Sequence, residues 1–354
     1  MPHTLRMVAW EITRRCNLAC VHCRASSEYG PYEGEFSTRQ CLELLDDIAS
    51  FSSPVIILTG GEPYMRDDIF DVAAYGTRKG LRMVLATNGT MVTDDIARKT
   101  KEAGIKRISI SIDGSDAARH DAFRGVPGAF DGSMAGIEAF KRAGVEFQIN
   151  TTITRLNLDQ IEDILALAVE IGAVAHHIFL LVPTGRGKDL ADQEISPEDY
   201  ERTLNWFYEK DRSTTIELKA TCAPQYYRIY HQRKQERRGT SPSMPQGALH
   251  AMTRGCMGGS SFCFVSHTGQ VQPCGFLEVD CGQLNEQDFR TIWETASVFK
   301  DLRDLSKYEG KCGVCEFSRV CGGCRARAYE ITGNYLAEEP FCVYEPRAKV
   351  TSDS

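Results

Sequence analysis

Long apolar runs are missing from this chain of 354 residues, none of them approaching the about 18 residues needed to cross a bilayer. Nor does the stretch from Met1 to Arg15 hold the uninterrupted apolar centre of a secretory signal. A membrane span and export are therefore not expected, and the cytoplasm is. Positive charge is scarce as well. Lys and Arg number 41 against 48 Asp and Glu, a formal net charge of −7, which leaves no electrostatic footprint for nucleic acid or an anionic membrane surface. The composition of a disordered chain is also absent, since 42% of residues are hydrophobic and 25% charged.

What the chain has in excess is cysteine, 14 residues of it. In a reducing compartment thiols do not persist as disulfides, so metal or redox chemistry is the better reading. The length exceeds one average domain and fits a barrel of about 200 to 250 residues with a smaller partner, so two cores are expected.

Short apolar runs alternate with helical patterns over the first half. Strands are predicted at Met7–Ile12, Val55–Thr59, Arg82–Thr87, Arg107–Ile112, Glu146–Thr152 and His176–Val182. Between Asn157 and Gly172 the apolar residues Leu158, Ile161, Ile164, Leu165, Ala168 and Ile171 recur at helical spacing. Ser37 with Gln40 reads as a capping box, and Gly80, Gly104, Gly144 and Gly172 stand where helix ends fall. Six βα units imply a parallel sheet, either open and doubly wound or an incomplete barrel, with chemistry at the C-terminal ends of the strands. A further helix is predicted over Asp199–Lys210. The charged run Gln232–Arg238 and the Ser, Pro and Gly of Gly239–Gly247 then read as an interdomain link.

Three thiols, Cys16, Cys20 and Cys23, fall on one loop directly after the first strand. Such a loop can ligate three irons of a cubane and leave the fourth open; a zinc site using His22 is the alternative. At the end of the second strand, Gly60 and Gly61 let backbone approach a ligand, and Glu62 offers a carboxylate to an ammonium group. C-terminally, Cys256, Cys263 and Cys274 precede Cys312-x2-Cys315-x5-Cys321-x2-Cys324 and Cys342. These eight thiols make two sets of four, for which a zinc ribbon is the other reading. Cys41 lies on an apolar helix stripe and is expected in the core. Cys222, near the domain junction, could face the active site, but an ordinary buried thiol is the better reading, and Cys281 is left as a spare.

The C-x3-C-x2-C loop after strand one and the Gly-Gly-Glu-Pro after strand two resemble the radical SAM superfamily over about residues 7 to 215. That resemblance implies a partial (β/α)6 barrel in which Cys16, Cys20 and Cys23 bind a four-iron, four-sulfur cluster whose open iron chelates S-adenosylmethionine. It further implies that Gly60, Gly61 and Glu62 contact the methionine ammonium, with Ser111, Asp113, Arg124 and Asn150 as candidates for the carboxylate and ribose. The C-terminal thiols, with their Gly269-x4-Cys274 element, resemble the SPASM extension. The implied sets are Cys256, Cys263, Cys274 and Cys324 for one auxiliary cluster, and Cys312, Cys315, Cys321 and Cys342 for the other. Two residues rather than three separate Cys321 from Cys324, a departure from the usual spacing. The chain would then divide into a barrel at 1–215, a bridging segment at 216–255, a SPASM domain at 256–346 and a tail at 347–354, with three four-iron clusters in all.

Three further stretches, Ala9–Cys16, His176–Lys188 and Cys321–Tyr329, resemble the haem b synthases of the siroheme-dependent haem pathway. This implies oxidative decarboxylation of two propionates of an iron-porphyrin substrate, iron-coproporphyrin III, fed by a low-potential donor such as ferredoxin or flavodoxin. An auxiliary cluster would accept the substrate electron. Arg186, Lys188 and Arg228 are candidates to pair with propionates, a solvated surface charge being the better reading of each, and of His176 and His177 at most one need face the site. The didecarboxysiroheme deacetylase and haem d1 enzymes, and SPASM peptide or protein maturases, share the cluster motifs. The short lead before Cys16 is expected to disfavour them.

Overall fold

A computed structural model describes residues 4–236 and 255–347 of the chain. The six predicted strands are all present, as β1 (Met7–Thr13), β2 (Val55–Gly60), β3 (Arg82–Thr87), β4 (Ile108–Ser111), β5 (Phe147–Ile153) and β6 (Ala175–Leu180). A seventh, β7 (Glu217–Thr221), extends the parallel run, and β8 (Phe262–Val265), β9 (Gln270–Gln272) and β10 (Gly282–Gln283) follow. All ten form one sheet in the order β10-β9-β8-β1-β2-β3-β4-β5-β6-β7.

Alternation along each strand gives the sheet two different faces. Val8, Trp10, Ile12, Ile56, Leu58, Ile108, Ile110 and Ile149 pack against the helices in the main apolar core. Their neighbours, among them Glu11, Ser111, Gln148, Asn150, His177 and Lys219, take the opposite, inner face. The helices begin and end on the expected signals. Ser37 caps Thr38–Phe51 with its hydroxyl accepting from Gln40 N, while the Gln40 side chain accepts from Ser37 N. Gly144, at φ +67°, ends Ala129–Ala143 in the left-handed conformation that glycine adopts without cost.

Two expectations are corrected. The segment 216–255 is not merely a bridge, since β7 and the helix Gln225–Glu236 occupy its described part. Gly239–Gly247 and the tail after Arg347 lie outside the described residues. Nor does the C-terminal part rest only on a core of its own: β8 pairs in parallel with β1, and Cys263, Val265, Phe289, Trp293 and Phe299 share the core of Val8 and Trp10, while Leu277, Val298, Leu302 and Ala326 form a smaller cluster. The reason is the open edge of β1, whose backbone groups need partners that only a strand from the C-terminal part provides.

His176 on β6 is fully buried, with Nε2 at 2.9 Å from Thr151 Oγ1. Burial lowers its pKa from 6.5 to about 4, so the folded chain holds the ring neutral. The unfolded chain takes up a proton first as pH falls. The contribution is therefore complete above about pH 6.5 and is lost on the way down toward pH 4. Between pH 7.5 and 5 the wild type should lose about 2 kcal/mol from this residue, a loss that His176→Gln abolishes. Denaturant midpoints of both proteins at the two pH values measure it, and identical pH dependence in the two would refute it.

Candidate active site

The loop Cys16–Cys23 leaves β1 at the C-terminal end of the sheet and has no regular structure, so its backbone is held from outside. On one side Ala19 N donates to Arg124 O (3.2 Å) and Val21 N to Phe123 O (3.0 Å), the terminal carbonyls of the helix Ala117–Arg124. On the other, Arg186 donates from its N to Cys23 O (3.0 Å), from Nε to Cys20 O (2.9 Å) and from Nη1 to Ser27 O (2.8 Å). The approach leaves no space: a Cβ on Gly125 would lie 2.4 Å from Ala19 O, and one on Gly185 2.1 Å from Arg24 O.

All three thiols are free. Each sulfur accepts an N–H, Cys16 from Leu18 N (3.4 Å), Cys20 from Arg124 Nη1 (3.6 Å) and Cys23 from Ser27 N (3.4 Å). Burial pushes the Cys16 thiol up to about 12 and raises that of Cys20. Buried sulfurs furnished with N–H donors fit a cluster, whose charge would stabilise the thiolates.

The other expected residues separate into two groups. Gly60 and Gly61 pack directly on the strand that enters the loop, for a Cβ would meet Thr13 O at 2.1 Å and Arg15 O at 2.2 Å respectively. Glu62 is fully buried and accepts from Tyr64 N (3.2 Å), Thr87 Oγ1 (2.8 Å) and Asn88 N (2.8 Å). Burial pushes its carboxyl up to about 7 against those donors. Its oxygens thus organise the β3 exit. Asp113 and Arg124 are likewise engaged with each other, Arg124 Nη2 lying 2.5 Å from Asp113 Oδ2 while Oδ1 accepts from Thr152 N (2.7 Å). Burial opposes ionisation of Asp113, but Arg124, His22, His120 and that N–H together hold its pKa below the usual carboxylate value. The pair clamps the thiol loop to the β4 and β5 exits, leaving Ser111 and Asn150 as the partly open pair.

Ser111 registers with Asn150, Asn150 with His177 and His177 with Lys219, one row on the inner face across β4 to β7. His177 thus faces the site, with Nδ1 at 2.9 Å from Gln148 Nε2, whereas His176 faces the core. No described residue lies within hydrogen-bonding distance of the Lys219 ammonium, whose pKa burial lowers, opposed by Glu217. The candidate cations for propionates are elsewhere. Arg186 holds the thiol loop, Lys188 is exposed near Glu330, and Arg228 is buried in an ion pair with Glu201.

Arg228 lines a cavity with Cys312, Cys315, Cys321 and Cys342, which are brought together as expected. Cys312 accepts from Glu339 N, Cys315 from Phe317 N and Cys321 from Gly323 N, each at 3.4 Å. The other expected set is only partly assembled. Cys256 and Cys274 lie beside Cys324, but Cys263 does not. It registers with Val8 across β8 and β1, which turns its side chain into the apolar core, where its nearest titratable groups are Cys281 and Arg303. The thiol that does stand beside Cys324 is Cys222, at the exit of β7, and the closeness of the two lowers the pKa of Cys324 while raising that of Cys222.

Two buried charge networks escaped sequence reasoning. Glu11, a carboxylate within an apolar strand, pairs with Arg24 Nη2 (2.6 Å), Arg14 Nε (3.0 Å) and His267 Nδ1 (2.8 Å). Burial opposes its charge, yet these partners hold it at about 2. Arg327 is fully buried and donates to Leu181 O (2.8 Å), Leu180 O (3.3 Å) and Cys222 O (3.3 Å), tying the C-terminal part to the ends of β6 and β7. A Glu inside an apolar run was a usable signal, since a charge there must be paired; Arg327 offered none.

Arg124→Met strands the Asp113 carboxylate in the interior and should cost about 3–5 kcal/mol in denaturant unfolding. Adding Asp113→Asn should recover at least about half, because no buried charge is then left unpaired. A loss near zero for the single variant would remove the clamp from this account.

A Radical SAM superfamily model matches residues 10–168, and the SPASM iron-sulfur cluster-binding domain matches residues 256–322. In overall fold the chain is similar to Streptococcus suis SuiB bound to S-adenosylmethionine, with a TM-score of 0.74 over 97% of this chain and 78% of that one at 15% identity. It is 32% identical over 356 residues to the Fe-coproporphyrin III synthase of Methanosarcina barkeri, covering 95% and 87% of the two chains. It is 52% identical over 349 residues, 99% of each chain, to the AdoMet-dependent heme synthase of the same organism. With that of Nitratidesulfovibrio vulgaris it shares 56% identity over 344 residues, 97% of this chain and 94% of that one. Identity of this order along nearly the whole length, together with the matches to the two domain models, shows that the chain belongs to the AdoMet-dependent heme synthases, radical SAM enzymes with a SPASM domain.

Proposed function

We propose that the chain converts two propionate side chains of iron-coproporphyrin III to vinyl groups, giving haem b. The observation that carries this reading is the gap in similarity. The heme synthases stand above half identity, whereas the Fe-coproporphyrin III synthase and the pre-heme d1 synthase stand near 30%.

In this reading Cys16, Cys20 and Cys23 hold one four-iron cluster, Cys312, Cys315, Cys321 and Cys342 a second, and the thiols around Cys324 a third. Gly60 and Gly61 keep the chain clear of the methionine end of S-adenosylmethionine, and Ser111 and Asn150 meet its polar groups. When bound, the first cluster and S-adenosylmethionine supply a 5′-deoxyadenosyl radical that takes a hydrogen from a propionate β-carbon, after which loss of carbon dioxide and one electron leaves the vinyl group. The starting electron comes from a low-potential donor such as ferredoxin or flavodoxin, and the reducing cytoplasm keeps the thiols available as ligands.

The chain's own part is to seat an anionic macrocycle on the inner face. Lys219 supplies a point charge there in place of the three candidate cations, and a carboxylate beside it restores the ammonium form that burial disfavours. His177 and Asn150 offer hydrogen bonds along the same row.

Anaerobic turnover with iron-coproporphyrin III tests the reading. Haem b should form through a monovinyl intermediate, one S-adenosylmethionine being consumed per propionate, and substrate deuterated at the propionate β-carbons should pass label into 5′-deoxyadenosine. Haem b without label transfer, or an inert substrate together with acetate release from didecarboxysiroheme, would overturn it. Lys219→Met should raise the KM for the porphyrin about 10- to 100-fold, the worth of one charge-assisted hydrogen bond, with that for S-adenosylmethionine unmoved. Steady-state kinetics in each substrate separate the two, and an unchanged porphyrin KM would release Lys219 from this role.

A further inference from the structure

We propose that Cys222, from the barrel, and not Cys263 completes the four-thiol set formed with Cys256, Cys274 and Cys324. The inference rests on the reading that these thiols hold an iron-sulfur cluster.

Position is the first ground. Cys222 follows β7 immediately, and its thiol lies beside Cys324, with Cys274 in the same neighbourhood. Cys256 in turn lies beside Cys324, and Cys274 beside both. Four sulfurs from separate stretches of chain thus surround one region: one from the β7 exit, two flanking the β8–β9 hairpin, and one at the start of the helix Arg325–Thr332. Cys222 and Cys274 also pack against the same small apolar cluster, which contains Cys324. Cys263 belongs to a different cluster, with Val8 and Val265, on the other face of the sheet. Strand alternation places it there, and the paired registers Met7–Phe262 through Trp10–Val265 prevent a one-residue slip that would turn it round.

Backbone conformation is the second ground. Cys222 has φ +56°, a left-handed conformation unusual for any residue but glycine, asparagine or aspartate. Such strain persists where the surroundings enforce it. Here they do: the Cys222 carbonyl accepts from Tyr200 Oη (2.9 Å) and from Arg327 Nη1 (3.3 Å), two groups that are themselves buried. These contacts hold the residue in a left-handed turn directly after the strand, with its side chain packed against the cluster that contains Cys324.

The consequence is structural as well as chemical. A cluster held by Cys222 joins the barrel covalently to the C-terminal domain, three residues beyond Lys219, so the proposed electron acceptor adjoins the proposed substrate row.

The full chain should be reconstituted anaerobically as wild type, Cys222→Ala, Cys222→Ser and Cys263→Ala, with iron, sulfide, Mössbauer spectra and far-UV circular dichroism read for each. The wild type should hold about twelve irons, Cys263→Ala the same, and Cys222→Ala about eight, on the four-iron count per cubane. Because a lost ligand can unfold a metal-held domain, Cys222→Ser supplies the second reading. It should keep the fold and either lose the same four irons or retain them with one cubane's spectrum altered by an oxygen ligand. Full iron with unchanged spectra in both Cys222 variants, or loss of a cluster in Cys263→Ala, would overturn the assignment. A wild type that itself holds only about eight irons fails at the cluster and not at the ligand, and removes the proposal together with the three-cluster reading. Label transfer from the porphyrin is measured in the wild type alone and stands apart from all of these outcomes.

Discussion

The constraint on which the rest of the structure depends is the need to hold an irregular thiol-bearing loop in place without secondary structure of its own. Cys16 to Cys23 have too few residues to satisfy their own backbone groups, and buried polar groups left unpaired are costly. The solution draws on elements more than 100 residues away in sequence. The end of Ala117–Arg124 supplies carbonyls that a helix leaves unpaired in any case, and the turn at Gly185–Arg186 supplies donors to the loop carbonyls. Gly125 and Gly185 are where they are because the two backbones touch.

Buried charge does a related job between the two halves of the chain. Glu11 joins Arg24 of the loop region to His267 of the C-terminal part, and Arg327 reaches from its helix to the carbonyls at the ends of β6 and β7. Breaking one partner of such a network leaves the others charged and dry, so each holds relative position more firmly than an apolar contact of the same area. The shared sheet between β1 and β8 and these networks together make the C-terminal part an extension of the barrel.

The thiols sort by what their sulfurs do. Cys16, Cys20, Cys23, Cys274, Cys312, Cys315 and Cys321 accept N–H groups, as ligand sulfurs with thiolate character do. Cys41 and Cys281 instead donate S–H, to Phe36 O at 3.9 Å and Val279 O at 3.8 Å, as small buried hydrophobes. Cys263 and Cys222 are separated by position instead, the first in the main apolar core and the second against the small cluster that contains Cys324.

Sequence alone determined the six leading strands, their parallel order, the capping of the helices and the place of the first thiol loop. These features follow from periodicity and from contacts between residues close in the chain. The grouping of Cys312, Cys315, Cys321 and Cys342 came from the resemblance to the SPASM extension and not from spacing, since Cys342 stands apart from the two knuckles. Tertiary structure alone decided the contacts of Arg186, Arg228 and Glu62, the joining of β8 to β1, and which thiol stands beside Cys324. The physical reason is register. Whether Cys263 looks into the core or toward the cluster side depends on how β8 aligns with β1, 255 residues away in sequence at Val8–Cys263, and a one-residue shift would reverse it. Likewise a lysine or arginine is a surface charge, a clamp or a substrate partner according to what packs over it, and no spacing along the chain encodes that.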